Sequence, residues 1–152
     1  MDSEGKIERA IELIEQIDSQ AATIARKIEW IPNVLFSCTE NEIRYNPGRI
    51  DELDPEHLAW YIRHEIEHIR RNHSERFEIY YYDLDDYDRN WVLKCFRMAC
   101  ELEINSDLMD DENAPEEGMY APGLAPFEHF ERGKKAEEYC DDLMYMSWDG
   151  PY

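Results

Sequence analysis

The segment RHEIEHI places two histidines four positions apart behind a strong helix-start signal. Asp54 is typical of an N-cap residue, and Pro55 is typical of the first position of a helix. We therefore predict a helix that begins at Pro55 and continues to about Asn72. Because residues four apart share one face of an α-helix, His64 and His68 are expected to point in the same direction.

This helix carries the pattern H-E-x-x-H, whose residue types suit the chemistry of zinc. Neutral imidazole nitrogens are zinc ligands, and a catalytic zinc site keeps one position open for water. The ion lowers the pKa of that water, so that a neighbouring carboxylate can take its proton. The pattern predicts His64 and His68 as metal ligands, Zn²⁺ as the cofactor and Glu65 as the general base. In a purely structural interpretation the same residues would form only a solvated helix face.

Apolar spacing and turn signals predict an α+β fold that is mostly helical, with a small β-hairpin. Apolar residues at spacings of three and four predict an amphipathic helix over residues 5–29, ended by Trp30-Ile31-Pro32. Two short runs, Val34–Phe36 and Glu42–Tyr45, flank a polar connection and predict the hairpin. The remaining predicted elements are two helices, at about 89–109 and 134–146, and two acidic loops, at 83–88 and 110–123.

The composition indicates a folded domain with a strongly acidic surface. A chain of 152 residues, with 43% hydrophobic and 12% aromatic residues, can bury one core, and no linker divides it. We therefore predict one domain over residues 1–152. The formal net charge of −20 disfavours binding to nucleic acids and to anionic membranes. It is compatible with a basic protein or peptide as partner.

The cysteines and the N-terminal segment favour a cytoplasmic protein. The four cysteines contain no C-x-x-C pair, and the segment MDSEGKIER lacks the basic and apolar regions of a signal peptide. No apolar run approaches the length that spans a bilayer. We therefore expect reduced thiols and a cytoplasmic location.

Further motifs lie on both sides of the H-E-x-x-H pattern. They are Tyr45-Asn46-Pro47 at the end of the hairpin, His73 and Arg76 after the metal-binding histidines, Ala99–Asn105 on a later helix, and Gly133–Tyr139 near the end. Together they resemble a gluzincin-like zinc metallopeptidase family whose larger members carry a C-terminal von Willebrand factor A-like domain. The resemblance covers about residues 35–145 and implies a zincin-like domain, here without the von Willebrand-type domain.

The resemblance also implies an acidic third metal ligand. Glu101 stands at that position, where the family usually has Asp, and the longer side chain should preserve ligation. Helical projection places Glu103 nearer the apolar face of the same helix, so burial alone favours Glu103. His73 is a further alternative, although on a continuous helix it would point away from His68. We predict Glu101 as the ligand and keep Glu103 and His73 as alternatives.

These observations predict a zinc metallopeptidase that hydrolyses peptide bonds in a protein or peptide substrate. The strand Glu42–Tyr45 is expected to form the rim of the cleft and to pair with an extended substrate. Arg76 is expected to pair with a nearby acidic residue. The rival prediction is a non-enzymatic acidic interaction protein, an inhibitor or a DNA mimic, that keeps zinc only for stability. The complete H-E-x-x-H pattern disfavours this rival, because a structural zinc site has no need of Glu65.

Overall fold

The computed structural model describes residues 2–34, 37–39 and 41–150, except for the side chain of Tyr87. These residues form seven helices and one three-stranded sheet, so the predicted α+β class, mostly helical with a small sheet, is confirmed. The chain divides into two compact units. The first comprises Met1–Arg71 and Glu112–Pro115, and the second comprises Asn72–Asp111 and Glu116–Tyr152. The single-domain assignment stays a prediction.

The N-terminal segment of the first unit forms two helices, α1 (Ser3–Ile17) and α2 (Ser19–Lys27), where one helix over residues 5–29 was predicted. Asp18 separates them in an extended conformation, with φ −151° and ψ 91°. Its side chain accepts a hydrogen bond from the Ala21 N–H and so caps α2. The apolar spacing continues across Asp18, which is why periodicity alone missed the break.

The small sheet of the first unit contains β1 (Glu29–Pro32), β2 (Ser37–Cys38) and β3 (Glu42–Tyr45), in the order β1-β3-β2. β1 pairs with β3 in parallel, and β2 pairs with β3 antiparallel. The segment expected to end the first helix is therefore a strand. Of the predicted strand Val34–Phe36, the last two residues lie outside the described part of the chain, and Val34 is in an exposed bend.

The position of β3 corrects the expected mode of substrate binding. A strand that accepts an extended peptide must offer a free edge. β3 is the central strand, with β1 along one edge and β2 along the other. The prediction that Glu42–Tyr45 pairs with a substrate is therefore wrong.

Helix α3 (Pro47–Asp51) leads to helix α4 (Pro55–Arg70), which begins as predicted. The Asp54 side chain accepts a hydrogen bond from the His57 N–H, and Pro55 is the first helical residue. The helix ends at Arg70, because Asn72 adopts a left-handed conformation with φ 52°. The apolar faces of α1, α2, α3, α4 and β3 form one core, in which the fully or nearly fully buried side chains include Ile11, Ile14, Ile43, Ile50, Ile62 and Ile66.

The second unit contains helices α5 (His73–Tyr80), α6 (Asp86–Leu108) and α7 (Ala136–Tyr145). The acidic segment predicted as a loop at 83–88 is split, because Asp85 caps α6 by accepting from the Asp88 N–H. The predicted loop at 110–123 contains no helix or strand. The core of this unit includes Phe77, Phe96, Leu102, Phe127, Tyr139 and Leu143. Among the described residues, no helix is both long enough and apolar enough to cross a membrane.

Candidate metal centre

Helix α4 presents His64 and His68 on one face, as predicted. His64 is buried and His68 is half-buried. The centroids of their rings lie 5.2 Å apart with an interplanar angle of 78°, and each ring offers a nitrogen within 4.8 Å of one on the other ring. Two imidazole nitrogens this close to each other can bind one zinc ion, whose bonds to imidazole are about 2.0–2.1 Å long.

Trp60 lies one turn before His64 on the same face of α4 and was not identified from the sequence. Its ring stacks on the imidazole of His64, with the centroids 5.4 Å apart and an interplanar angle of 28°. Trp60 is itself buried, so its ring restricts the rotation of the imidazole. The spacing of four residues before His64 is the signal that could have identified it.

Glu65 follows His64 on α4 and is half-buried, and α4 packs against β2. Glu65 is close enough to Cys38 of β2 for its charge to act on the thiol. Burial, together with the negative charge of Glu65, raises the pKa of the Cys38 thiol to about 12. Cys38 is therefore a neutral neighbour of Glu65 at neutral pH. No pattern in the sequence connects this cysteine with the site.

Glu101 and Glu103 both lie on α6 of the second unit, but they differ in burial. Glu101 is half-buried, whereas Glu103 is only 7% exposed. Among the described residues, the group of three potential ligands that could hold a metal ion consists of His64, His68 and Glu101. Two imidazoles and one carboxylate are a donor set that suits zinc. The residues present therefore fit the metal that the H-E-x-x-H pattern implies.

The two alternative ligands, Glu103 and His73, bind each other. The Nε2 atom of His73 lies 2.8 Å from Oε1 of Glu103. Glu103 also accepts hydrogen bonds from Arg76, at 2.7 and 3.1 Å, and from the Ala136 N–H, at 2.6 Å. Burial alone would raise the pKa of Glu103, but these hydrogen bonds outweigh it and hold the pKa well below its usual range.

Arg76 pairs with two acidic side chains, as expected from the sequence. Besides Glu103, its guanidinium binds Glu137 of α7, with Nε 3.0 Å from Oε2. These bonds raise the pKa of Arg76 and lower that of Glu137. The arginine that follows H-E-x-x-H thus binds Glu137 of the segment Gly133–Tyr139, whereas the histidine binds Glu103 of α6.

Other residues of the motifs that carry the family resemblance support local structure. Asn46 accepts from the Gly48 N–H and donates to the carbonyl oxygen of Val34, at 2.9 and 3.0 Å. Asn105 donates to the carbonyl oxygen of Tyr120 at 2.8 Å. The Tyr139 hydroxyl donates to the carbonyl oxygen of Glu131 at 2.6 Å. Asn46, Asn105 and Tyr139 thus each bind a backbone carbonyl of a neighbouring segment.

Comparison with known proteins gives one family. No curated protein and no solved structure matches the chain. The model of the family described as a putative metallopeptidase domain matches residues 3–147, which is nearly the whole sequence. This family is consistent with the H-E-x-x-H pattern on α4 and with the resemblance noted from the motifs. The chain therefore belongs to the putative metallopeptidase domain family.

Proposed function

We propose that this protein is a zinc-dependent metallopeptidase that hydrolyses peptide bonds, with His64, His68 and Glu101 as metal ligands and Glu65 as the general base. The observation that carries the proposal is that α4 presents both imidazoles on one face, with Glu65 directly after His64 in the sequence. Three protein ligands leave a position for water, which is typical of catalytic zinc sites. Membership of a metallopeptidase family supports the same activity.

A bound zinc ion would supply a Lewis acid that lowers the pKa of water and polarises a carbonyl group. Glu65 would take a proton from the attacking water and then donate it to the amine that leaves when the peptide bond breaks. Trp60, stacked on His64, would hold that imidazole in the orientation in which it binds. The neutral thiol of Cys38 adds no second negative charge beside Glu65.

The net charge supports protein or peptide substrates with basic segments. At −20, the protein attracts positively charged chains and repels acidic ones, most strongly at low ionic strength. A cytoplasmic location belongs to the same proposal.

The test compares cleavage of basic peptides by the zinc-loaded wild type and by zinc-loaded Glu65→Gln. Glutamine keeps the size of the side chain but cannot act as a base, so the rate should fall on the order of 10²–10⁴-fold with zinc content unchanged. Glu56→Gln is the matched control, because it makes the same chemical change at an exposed position of the same helix. Equal cleavage by wild type and Glu65→Gln would reveal a contaminating protease. Absence of cleavage across a broad peptide panel would favour the acidic interaction protein.

A further inference from the structure

We infer that Glu103 is a positioning residue, which sets the rotation of α6 about its axis and hence the direction in which Glu101 leaves that helix. The inference rests on the proposed function, because it concerns Glu101 as a metal ligand. We call the group formed by His73, Arg76, Glu103, Ala136 and Glu137 the α6 clamp. All five residues belong to the second unit.

The α6 clamp joins three helices through one carboxylate. On one side, Glu103 of α6 accepts from His73 and Arg76 of α5. On the other side, it accepts from the N–H of Ala136, the first residue of α7. The first N–H groups of a helix have no hydrogen-bond partner within the helix, and a negative charge near them is favourable. Glu103 therefore also stabilises the N-terminus of α7. Arg76 closes the group by binding Glu137.

Helical geometry links this carboxylate to Glu101. Residues two apart on an α-helix leave its axis about 200° apart, so Glu101 points almost opposite to Glu103. When Glu103 is held from two sides, α6 cannot rotate without breaking those bonds, and the direction of Glu101 is fixed with it. Ser106 gives a second anchor one turn later on the clamped face, where its Oγ accepts from the Gly133 N–H at 2.7 Å.

Precise rotation matters because metal ligation tolerates little displacement. Ligand distances in zinc sites fall within about 0.2 Å of their usual values. Glu103→Gln would replace one of the two carboxylate oxygens by an NH₂ group. This group cannot accept the hydrogen bonds that Arg76 and His73 direct at the carboxylate. Since these donors are buried or half-buried, they would need new partners, and α6 would turn or shift to provide them. The expected consequence is a misplaced Glu101.

The experiment measures zinc affinity, by competition with a chromophoric chelator, and the absorption spectrum of the cobalt-substituted protein. Glu103→Gln should weaken zinc binding on the order of tenfold to a hundredfold, as is usual when groups that orient ligands are changed. The cobalt spectrum should change in intensity as the coordination geometry changes. Arg76→Lys is the milder second variant, because it keeps the charge and loses the paired hydrogen bonds to Glu103.

Leu143→Ala is the control for stability. Leu143 is fully buried in α7, and its truncation weakens packing in the second unit without removing an atom of the α6 clamp. Its melting temperature should fall at least as far as that of Glu103→Gln, while its zinc affinity should stay within about threefold of wild type.

The outcomes separate this inference from the proposed function. Wild-type protein that binds no metal would overturn both. Wild-type binding with unchanged affinity in Glu103→Gln and Arg76→Lys would overturn the inference alone. Equal losses of affinity in Leu143→Ala and Glu103→Gln would show that only stability matters, and would overturn it as well. Loss of the metal in Glu103→Ala but not in Glu101→Ala would make Glu103 the ligand itself.

Discussion

His73 and Glu103 are joined by a buried hydrogen bond between α5 and α6, with Nε2 2.8 Å from Oε1. From the sequence, both residues were alternatives to Glu101 as the third metal ligand. Their mutual bond, together with the bonds from Arg76 and Ala136 to Glu103, gives both side chains a role in holding the second unit together. Substitutions of these residues can therefore change two different quantities, the affinity for metal and the stability of the metal-free fold.

Glu101→Ala and Glu103→Ala should therefore differ in what they change. Glu103→Ala removes one partner from a buried charged group, so the free energy of unfolding of the metal-free protein should fall by about 3 kcal/mol or more. Glu101→Ala should lower zinc affinity far more than it lowers this stability. Urea denaturation in a chelator and zinc titration of each variant provide the two measurements. Loss of stability in Glu101→Ala, without loss of zinc affinity, would contradict the assignment of the ligand.

The metal content of the protein should depend on the two histidines of α4. Elemental analysis of protein purified without added metal should give about one zinc ion per chain, as is typical of a catalytic site. The double variant His64→Ala/His68→Ala should contain almost none. His57→Ala is the control, because His57 is exposed near the start of the same helix and bonds to Asp54. Full zinc occupancy in the double variant would end the metal-site proposal.

The elements that local rules govern could be predicted from the sequence. The start of α4 follows from Asp54 and Pro55, because an N-cap and a proline act within one turn. The shared face of His64 and His68 follows from the helical period alone. The approximate bounds of α6 and α7 follow from their apolar spacing in the same way.

Features that depend on tertiary contacts could not be predicted. The break at Asp18 is stabilised by an ion pair with Arg70, a residue distant in the sequence. The central position of β3 depends on a parallel strand, Glu29–Pro32, whose sequence reads as a helix end. Similarly, the bond of Glu103 to the N-terminus of α7 could not be foreseen, since periodicity indicates which residues are buried but not what they contact.

Removal of the metal should lower the melting temperature. A ligand that binds only the folded state stabilises it by mass action, by about 2.7 kcal/mol when its concentration is a hundred times the dissociation constant. Thermal unfolding followed by circular dichroism, before and after dialysis against a chelator, measures the change. Readdition of zinc should restore the original curve, whereas His64→Ala should melt at the same temperature with and without zinc. An unchanged wild-type curve after verified removal would mean that the site contributes nothing to folding.

The ion pair between Asp18 and Arg70 should make stability depend on pH in the acidic range. Burial alone would raise the pKa of Asp18, but hydrogen bonds from Arg70 and the Ala21 N–H, with the nearby charge of Arg63, lower it below its usual value. The unfolded chain therefore binds a proton at a higher pH than the folded chain does. The stabilisation by this group is complete above the unfolded pKa of about 3.9 and is lost as the pH falls through the lower folded pKa.

Asp18→Asn isolates this charge, because asparagine can still cap α2 by accepting from the Ala21 N–H. At pH 7 the variant should be less stable than wild type by up to about 1 kcal/mol, the usual range for a partly exposed pair. The difference should shrink towards zero as the pH falls from about 5 to below 3, because wild-type Asp18 then loses its charge. Urea denaturation of the metal-free proteins at several pH values measures it. In an Arg70→Gln background the substitution should cost little at any pH, and a difference that persists in acid would show that the charge of Asp18 is not its cause.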